Sequence, residues 1–332
     1  MIKLIKTEND IKAPLPFFAK EIYLQSKSDY YGWFENEHFV LPFTLFKKFI
    51  FKRIVFTTEI IYKSEEEINI QKEKDFLNKV VAFIKKNKIA DDIFKPQPSA
   101  VFNSYPDNCE AFKWGSFVID IEPSLENMIK KVSKSQRNYI RRAIKDGVKV
   151  EKTSNYEEIH KLANETLARQ NIQLLINKNE FKEQFNSFHP QNMLMFKVIY
   201  ENEIQGTLIV FIDEENAFAE YAGSIVKPKH GSLKLLHLTA MEYLAKNYNL
   251  KTYDFIGAIP DIIEGSKEAG IQKFKKEFGA RIKEGYQFRV IINPLKYYLF
   301  DKALKLYFKL KKVQYEDPVE KYRKLSKSYL KV

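Results

Sequence analysis

The chain of 332 residues contains one cysteine, Cys109. A single thiol excludes an intrachain disulfide and any cysteine-rich zinc site, and it suits a reducing compartment. Glycine is scarce, at 11 residues, and no Walker or Rossmann glycine pattern occurs. Nucleotide hydrolysis and dinucleotide redox chemistry therefore lack their usual phosphate cradles. The five histidines have no metal-ligand spacing, so no metal is expected. Apolar residues nowhere run long enough to cross a bilayer, and Met1-Ile2-Lys3-Leu4-Ile5-Lys6 lacks the apolar core and cleavage site of a signal peptide. These absences predict a cytoplasmic protein.

Lysine is what the chain has in plenty. The formal net charge of +12 implies attraction to polyanions such as RNA, anionic lipid or phosphorylated substrates. The same lysines fit default surface usage in a chain rich in Lys, Asn, Ile and Phe, so charge alone selects no partner. With 45% apolar residues, the length suffices for one large domain or two ordinary ones.

Periodicity predicts a short helix over 17–24 behind Pro14 and Pro16, then strands at 30–34, 39–43 and 54–58. Ser64 and Glu67 have capping-box spacing, and apolar residues from Ile68 to Ile84 recur at helical intervals, which predicts a helix over 65–87. Pro96, Pro98 and Pro106 interrupt regular structure before an extended run at 115–121. A helix start at Ser124 and a basic helix over 133–145 follow, the latter stopped by Asp146-Gly147, then a strand at 148–150. Helices at 156–169 and 180–188 precede a three-strand meander within 194–222. A helix over 232–247, a strand at 252–256, a helix around Lys275, a strand at 287–292 and a tail helix from Pro294 complete the order.

The run Gly270 to Gly279 carries the most specific chemistry. Phe274 and Phe278 share a helix face, and Lys275 is turned off that face toward whatever lies beside the preceding strand. Either Lys275 serves a site, or Lys273, Lys275 and Lys276 form a solvated face anchored by the two phenylalanines. Asp254, at a strand end, reads either as a general base or, the reading favoured slightly, as a carboxylate holding the Phe255-Ile256-Gly257 turn. Arg137, Arg141 and Lys145 lie at i, i+4 and i+8, a positive stripe whose planar guanidinium forks suit a diphosphate.

The element order over 123–292 resembles that of the GNAT acyltransferase fold. Tyr253-Asp254-Phe255-Ile256-Gly257, followed by Gly270-Ile271-x-x-Phe274-Lys275-x-x-Phe278-Gly279, resembles the tyrosine-aspartate-phenylalanine and glycine-phenylalanine-lysine signatures of the FemABX peptidyltransferases. The helix from Lys134 to Val148 resembles that family too, with weaker matches at Thr166-x-x-Arg169 and Val40-Leu41-Pro42-Phe43. This resemblance implies an α+β protein of two GNAT-like domains, each a mixed sheet flanked by helices, without a coiled-coil arm. The first would be 1–118, completed by 285–332, and the second 119–284, carrying the motifs. It implies an amide-forming aminoacyltransferase that moves an amino acid from aminoacyl-tRNA to an amine of a peptidoglycan precursor, with no bound cofactor.

By the same resemblance, Phe274 would flank the terminal adenosine or acyl group and Lys275 would stabilise the oxyanion. Arg137 and Arg141 would hold the precursor, with Tyr139, Tyr221 and Tyr253 as further substrate contacts. Tyr221-Ala222-Gly223-Ser224 ends the meander where GNAT folds splay to admit an acyl donor. Lys227-Pro228-Lys229-His230-Gly231-Ser232 stands where coenzyme A users place a pyrophosphate loop, with only one glycine, so His230, Gly231 and Ser232 are donor-binding candidates. A second reading is thus an acyl-coenzyme A-dependent N-acyltransferase acting on an amino sugar or amine in surface polysaccharide or lipid. A third is a non-catalytic RNA- or membrane-binding protein. The aromatic, lysine-rich helix over 294–312 suits either an anionic inner membrane surface or packing against the first domain.

Overall fold

Aromatic and β-branched residues build the opening strands, as their patterning predicts. The computed structural model describes residues 1–64, 67–169, 177–312 and 315–327. The chain divides into one unit of 1–116, 257–269 and 283–332 and another of 117–256 and 270–282.

The first unit begins with β1 (Lys3–Ile5), α1 (Glu21–Gln25), β2 (Tyr31–Glu35), β3 (Phe39–Lys48), β4 (Phe51–Phe56) and β5 (Ile61–Tyr62). The helix expected over 17–24 is instead a 3-10 turn at Phe17–Ala19 followed by α1, because Lys20 between them is extended. Strands β1 to β4 form an antiparallel ladder that pairs Phe34 with Leu41 and Phe43 with Phe56. Helix α2 (Ile70–Lys86) starts later than its expected capping box: Asn69 is the cap, its side chain accepting from Lys72 N. Of the expected start, Glu65 and Glu66 lie outside the described residues. Phe76, Leu77, Val80 and Ile84 of α2 pack into one core with Phe34, Phe39, Leu41 and Phe56. Strand β6 (Asp92–Ile93) then runs parallel to β4.

Next come β7 (Glu110–Asp120), α3 (Leu125–Lys131), α4 (Lys134–Lys145), β8 (Lys149–Lys152), α5 (Tyr156–Arg169) and α6 (Lys178–Phe188). The meander is β9 (Met193–Tyr200), β10 (Glu203–Ile212) and β11 (Asn216–Ser224), followed by α7 (Ser232–Tyr248) and β12 (Thr252–Asp254). In the second unit β8 to β11 are antiparallel, β12 is parallel to β11, and Val118–Asp120 of β7 is antiparallel to β12.

Last are α8 (Lys267–Lys276), β13 (Arg281–Ile291), α9 (Pro294–Leu310) and α10 (Pro318–Leu325). Val290 and Ile291 of β13 pair antiparallel with β6 and complete the first unit's sheet. Each unit therefore has four antiparallel strands, a helical crossover (α2 or α7), a parallel fifth strand and an antiparallel sixth, as a parallel pair requires a crossover. In the first unit the sixth strand, β13, comes from far beyond the 1–116 run, whereas in the second β7 opens the unit's own run of 117–256. Residues 257–269, expected in the second domain, belong to the first: Gly115 and Ala258 exchange backbone hydrogen bonds, and Gly257 lies against Trp114. Helix α10, capped by Asp317, is a tail element that periodicity did not separate from α9. Among the described residues no helix is long and apolar enough to cross a membrane.

Candidate active site

The centre of the second unit is built on α7, which is apolar on nearly all sides and therefore buried. Its one imidazole, His237, sits among leucines with Nδ1 2.7 Å from the hydroxyl of the buried Tyr253 on β12. Burial, then the charges of Lys234 and Lys275, lower His237 to about 3, so the ring is neutral at any physiological pH. Burial likewise holds the Tyr253 hydroxyl protonated, raising it well above its ordinary value. The rings of Tyr253, Phe255, Phe274 and Phe278 enclose His237 with centroids 5.5 to 6.0 Å away.

Strand β12 ends in a constrained turn. Ile256 has φ of +50°, a conformation that β-branched residues rarely adopt. Asp254 Oδ1 accepts the Ile256 N–H at 2.6 Å, and Lys275 Nζ donates to the Ile256 carbonyl at 2.5 Å. One strained residue is thus clamped on both sides by two motif residues. Burial lowers Lys275 to about 8, with the Asp254 carboxylate opposing the shift.

The helix that carries Lys275 is fixed at its end. Phe278 is fully buried, and Gly279 has φ of +81° with its missing Cβ only 2.6 Å from the Lys131 carbonyl, so a side chain there would meet backbone. The Ser133 N–H donates to the Glu277 carbonyl at 2.8 Å, and the Glu277 carboxylate pairs with the buried Lys234 at 2.9 Å. Lys234 Nζ also lies 4.3 Å from the Phe274 ring centroid, a cation held over an aromatic face.

Four expected residues therefore come together: Tyr253, Asp254, Phe274 and Lys275. Asp254 takes the turn-holding role that was one of its two readings. The positive stripe exists on α4, but its two arginines have partners: Arg137 Nε donates to the Val132 carbonyl at 2.7 Å, and Arg141 pairs with Glu126 at 2.7 Å. Helix α4 reaches the lysine helix through Ser133 and Gln136, both bonded to Glu277. The Tyr139 ring, exposed, lies 5.6 Å from His230, and Gly231 adopts φ of +84° where a Cβ would fall 2.3 Å from the Tyr139 carbonyl. Gly231 is thus required for the close approach of α7 to α4 as well as for opening the helix.

Strand β11 outruns β12, which pairs with it only at Asn216–Phe218. Glu220 is the extra residue of a bulge between the pairs Ile209–Tyr221 and Val210–Ala219, so Tyr221 lies on the part of β11 that β12 leaves open. Burial raises the Tyr221 hydroxyl above its ordinary value and keeps it protonated. Thr166 and Arg169 of α5 bind the strand's end, Thr166 Oγ1 accepting the Ser224 N–H at 2.9 Å and Arg169 donating to the Ser224 carbonyl. Among the described residues, no cluster of His, Cys, Asp or Glu could hold a metal.

Sequence reasoning missed His237, Lys234 and Glu277. A polar residue on the apolar side of a helix was the available signal for His237, which stands four residues after Leu233.

The FemAB family matches residues 106–209 and 200–305, together more than half of the chain. No curated protein matches the sequence. Among solved structures, the chain is similar to FemX, with a TM-score of 0.63 at 15% identity, over 85% of this chain and 94% of that one. It is similar to the C-terminal domain of a putative lysylphosphatidylglycerol synthetase from Agrobacterium fabrum, with a TM-score of 0.52 at 13% identity, over 90% and 95% of the two chains. A conserved protein of unknown function from Bacteroides thetaiotaomicron gives 0.51 at 12% identity, over 81% and 89%. At such identities these likenesses speak of fold, whereas the family match speaks of sequence: the chain belongs to the FemAB family.

Proposed function

We propose that the protein transfers an amino acid from aminoacyl-tRNA to an amine of a peptidoglycan precursor. The observation that carries this reading is Lys275, a partly desolvated cation lowered to about 8 and set at a strained turn beside Phe274. In such a transfer the neutral acceptor amine attacks the ester carbonyl carbon, a C–N bond forms, and the carbonyl electrons move to oxygen. Collapse of that tetrahedral centre breaks the C–O bond to ribose, whose oxygen leaves with a proton while the new amide nitrogen loses one. An ammonium meets two needs here, stabilising the oxyanion and protonating the leaving oxygen. Lys275 supplies that ammonium, Phe274 offers a ring for the terminal adenosine or acyl group, and Asp254 holds the turn. The neutral His237, bonded to Tyr253, positions the aromatic wall.

The test is incubation with a pool of charged tRNAs, acyl-coenzyme A donors and cell-wall precursors, reading by mass which donor is consumed. Lys275→Ala should lower turnover about a hundredfold, as removal of an oxyanion donor does; full activity in that variant would sink the assignment. Acyl-coenzyme A is the second donor reading, favoured by the start of α7. There Gly231 is left-handed, and the Ser232 hydroxyl is buried without a hydrogen-bond partner among the described residues. Consumption of acyl-coenzyme A alone would select it.

A further inference from the structure

Helix α9 is held to the first unit by one side and displays the other. Phe308 is buried, and Phe300 stacks on Phe51 with centroids 4.3 Å apart. Leu295, Tyr298, Leu299, Leu306 and Leu310 recur at helical spacing on the opposite side, all exposed, Leu310 at 75%. Lys302 and Lys309 share this face.

The tip of the β3–β4 hairpin adjoins it, since Lys296 Nζ donates to the Ile50 carbonyl at 3.2 Å. Phe49 at that tip is 89% exposed and Ile50 69%. Phe49 also adopts φ of +54°, where a tight turn ordinarily uses glycine or asparagine. A strained, bulky apolar residue with almost no packing around it contributes little to folding and calls for an external partner.

Charge identifies that partner. Residues 46–52 and 294–312 hold nine lysines and one carboxylate, Asp301, which is half-buried and paired with Lys305 at 2.6 Å. A second copy of this face would set like charges against each other, and nucleic acid offers phosphate but nothing to take up the leucines. An anionic bilayer offers both, acyl chains for the apolar side chains and headgroups for lysines whose stems lie along them.

We propose that the outer face of α9 and the Phe49–Ile50 tip form a docking surface for an anionic lipid bilayer. The surface lies within the first unit, and its use depends on neither the donor nor the acceptor proposed above.

The full chain should cosediment with vesicles of equimolar phosphatidylglycerol and phosphatidylcholine, and bind vesicles of phosphatidylcholine alone about tenfold less. Raised salt should weaken the binding. Leu306→Ser with Leu310→Ser, and separately Lys302→Glu with Lys309→Glu, should each reduce partitioning about tenfold with thermal unfolding unchanged, as exposed positions allow. Absence of binding, equal binding to both vesicle types, or parent-like binding by both variants would overturn the proposal. So would a dimer, seen by sedimentation velocity without lipid, that the same variants dissolve. The vesicles carry no precursor, so failure here leaves the transferase reading standing.

Discussion

Among the described residues, two lysines are lowered to about 8 by burial, Lys95 in the first unit and Lys275 in the second. Lys95 lies beside the rings of Trp114 and Tyr322, where desolvation alone explains the shift. What sets Lys275 apart is its company: a strained residue, a carboxylate on the same turn, and Phe274 next to it. Its proton predicts a pH dependence. The donor form is the ammonium, present below about 8, so the transfer rate should fall as pH rises through that value. Lys275→Arg, charged at every working pH, should lose this limb of the rate profile; a limb that persists would assign the titration elsewhere. The stability sign follows from the same shift. The unfolded chain keeps the proton up to about 10.5 while the folded chain releases it near 8, so this group's contribution to stability rises with pH between those values. Helix spacing showed that Phe274 and Phe278 share a face but left Lys275 open between a site and solvent; the resemblance of Gly270–Gly279 to a family signature is what singled it out. His237 was not readable, because whether a polar residue in an apolar helix is paired depends on a strand that is distant in space until folding.

At the scale of elements, the helix that carries Lys275 stays in register through Gly279. Gly279→Ala puts a Cβ at φ of +81° and against the Lys131 carbonyl. It should cost about 1–3 kcal/mol, read as a lower Tm, and should reduce transfer activity as α8 shifts. An unchanged Tm would show that the junction relaxes freely. Element boundaries were less legible than their existence. Ser64 and Glu67 have the spacing of a cap, yet Asn69 supplies the working one, since two competent caps stand five residues apart and only packing of Phe76 and Leu77 selects the start. The arginine stripe on α4 was visible as a period, but its pairing with Glu126 and the Val132 carbonyl depends on where α3 lies.

At the scale of the whole molecule, the sixth strand of the first unit's sheet, β13, is supplied from far beyond that unit's opening run of chain. A fragment of residues 1–118 lacks β13 and with it the buried Phe288 and Val290, each worth about 1.5–3 kcal/mol. It also lacks Arg289, a buried cation whose guanidinium joins Glu110, Asp317 and Tyr297. Circular dichroism of that fragment should show no cooperative thermal transition. A sharp transition would mean that β1 to β6 suffice as a folding unit.

By itself the sequence determined the order of the longer elements, the mixed α+β class and the Phe274-Lys275 motif, because period, capping chemistry and turn residues act over a few positions; the short β1, β5 and β6 and the tail helix α10 emerged only in the structure. Only the tertiary structure decided which strands complete which sheet, that Asp254 clamps a turn, that His237 is neutral among four rings, and that α9 shows an apolar face outward. Each of those depends on burial and on neighbours brought from far along the chain. No local pattern of residues encodes them.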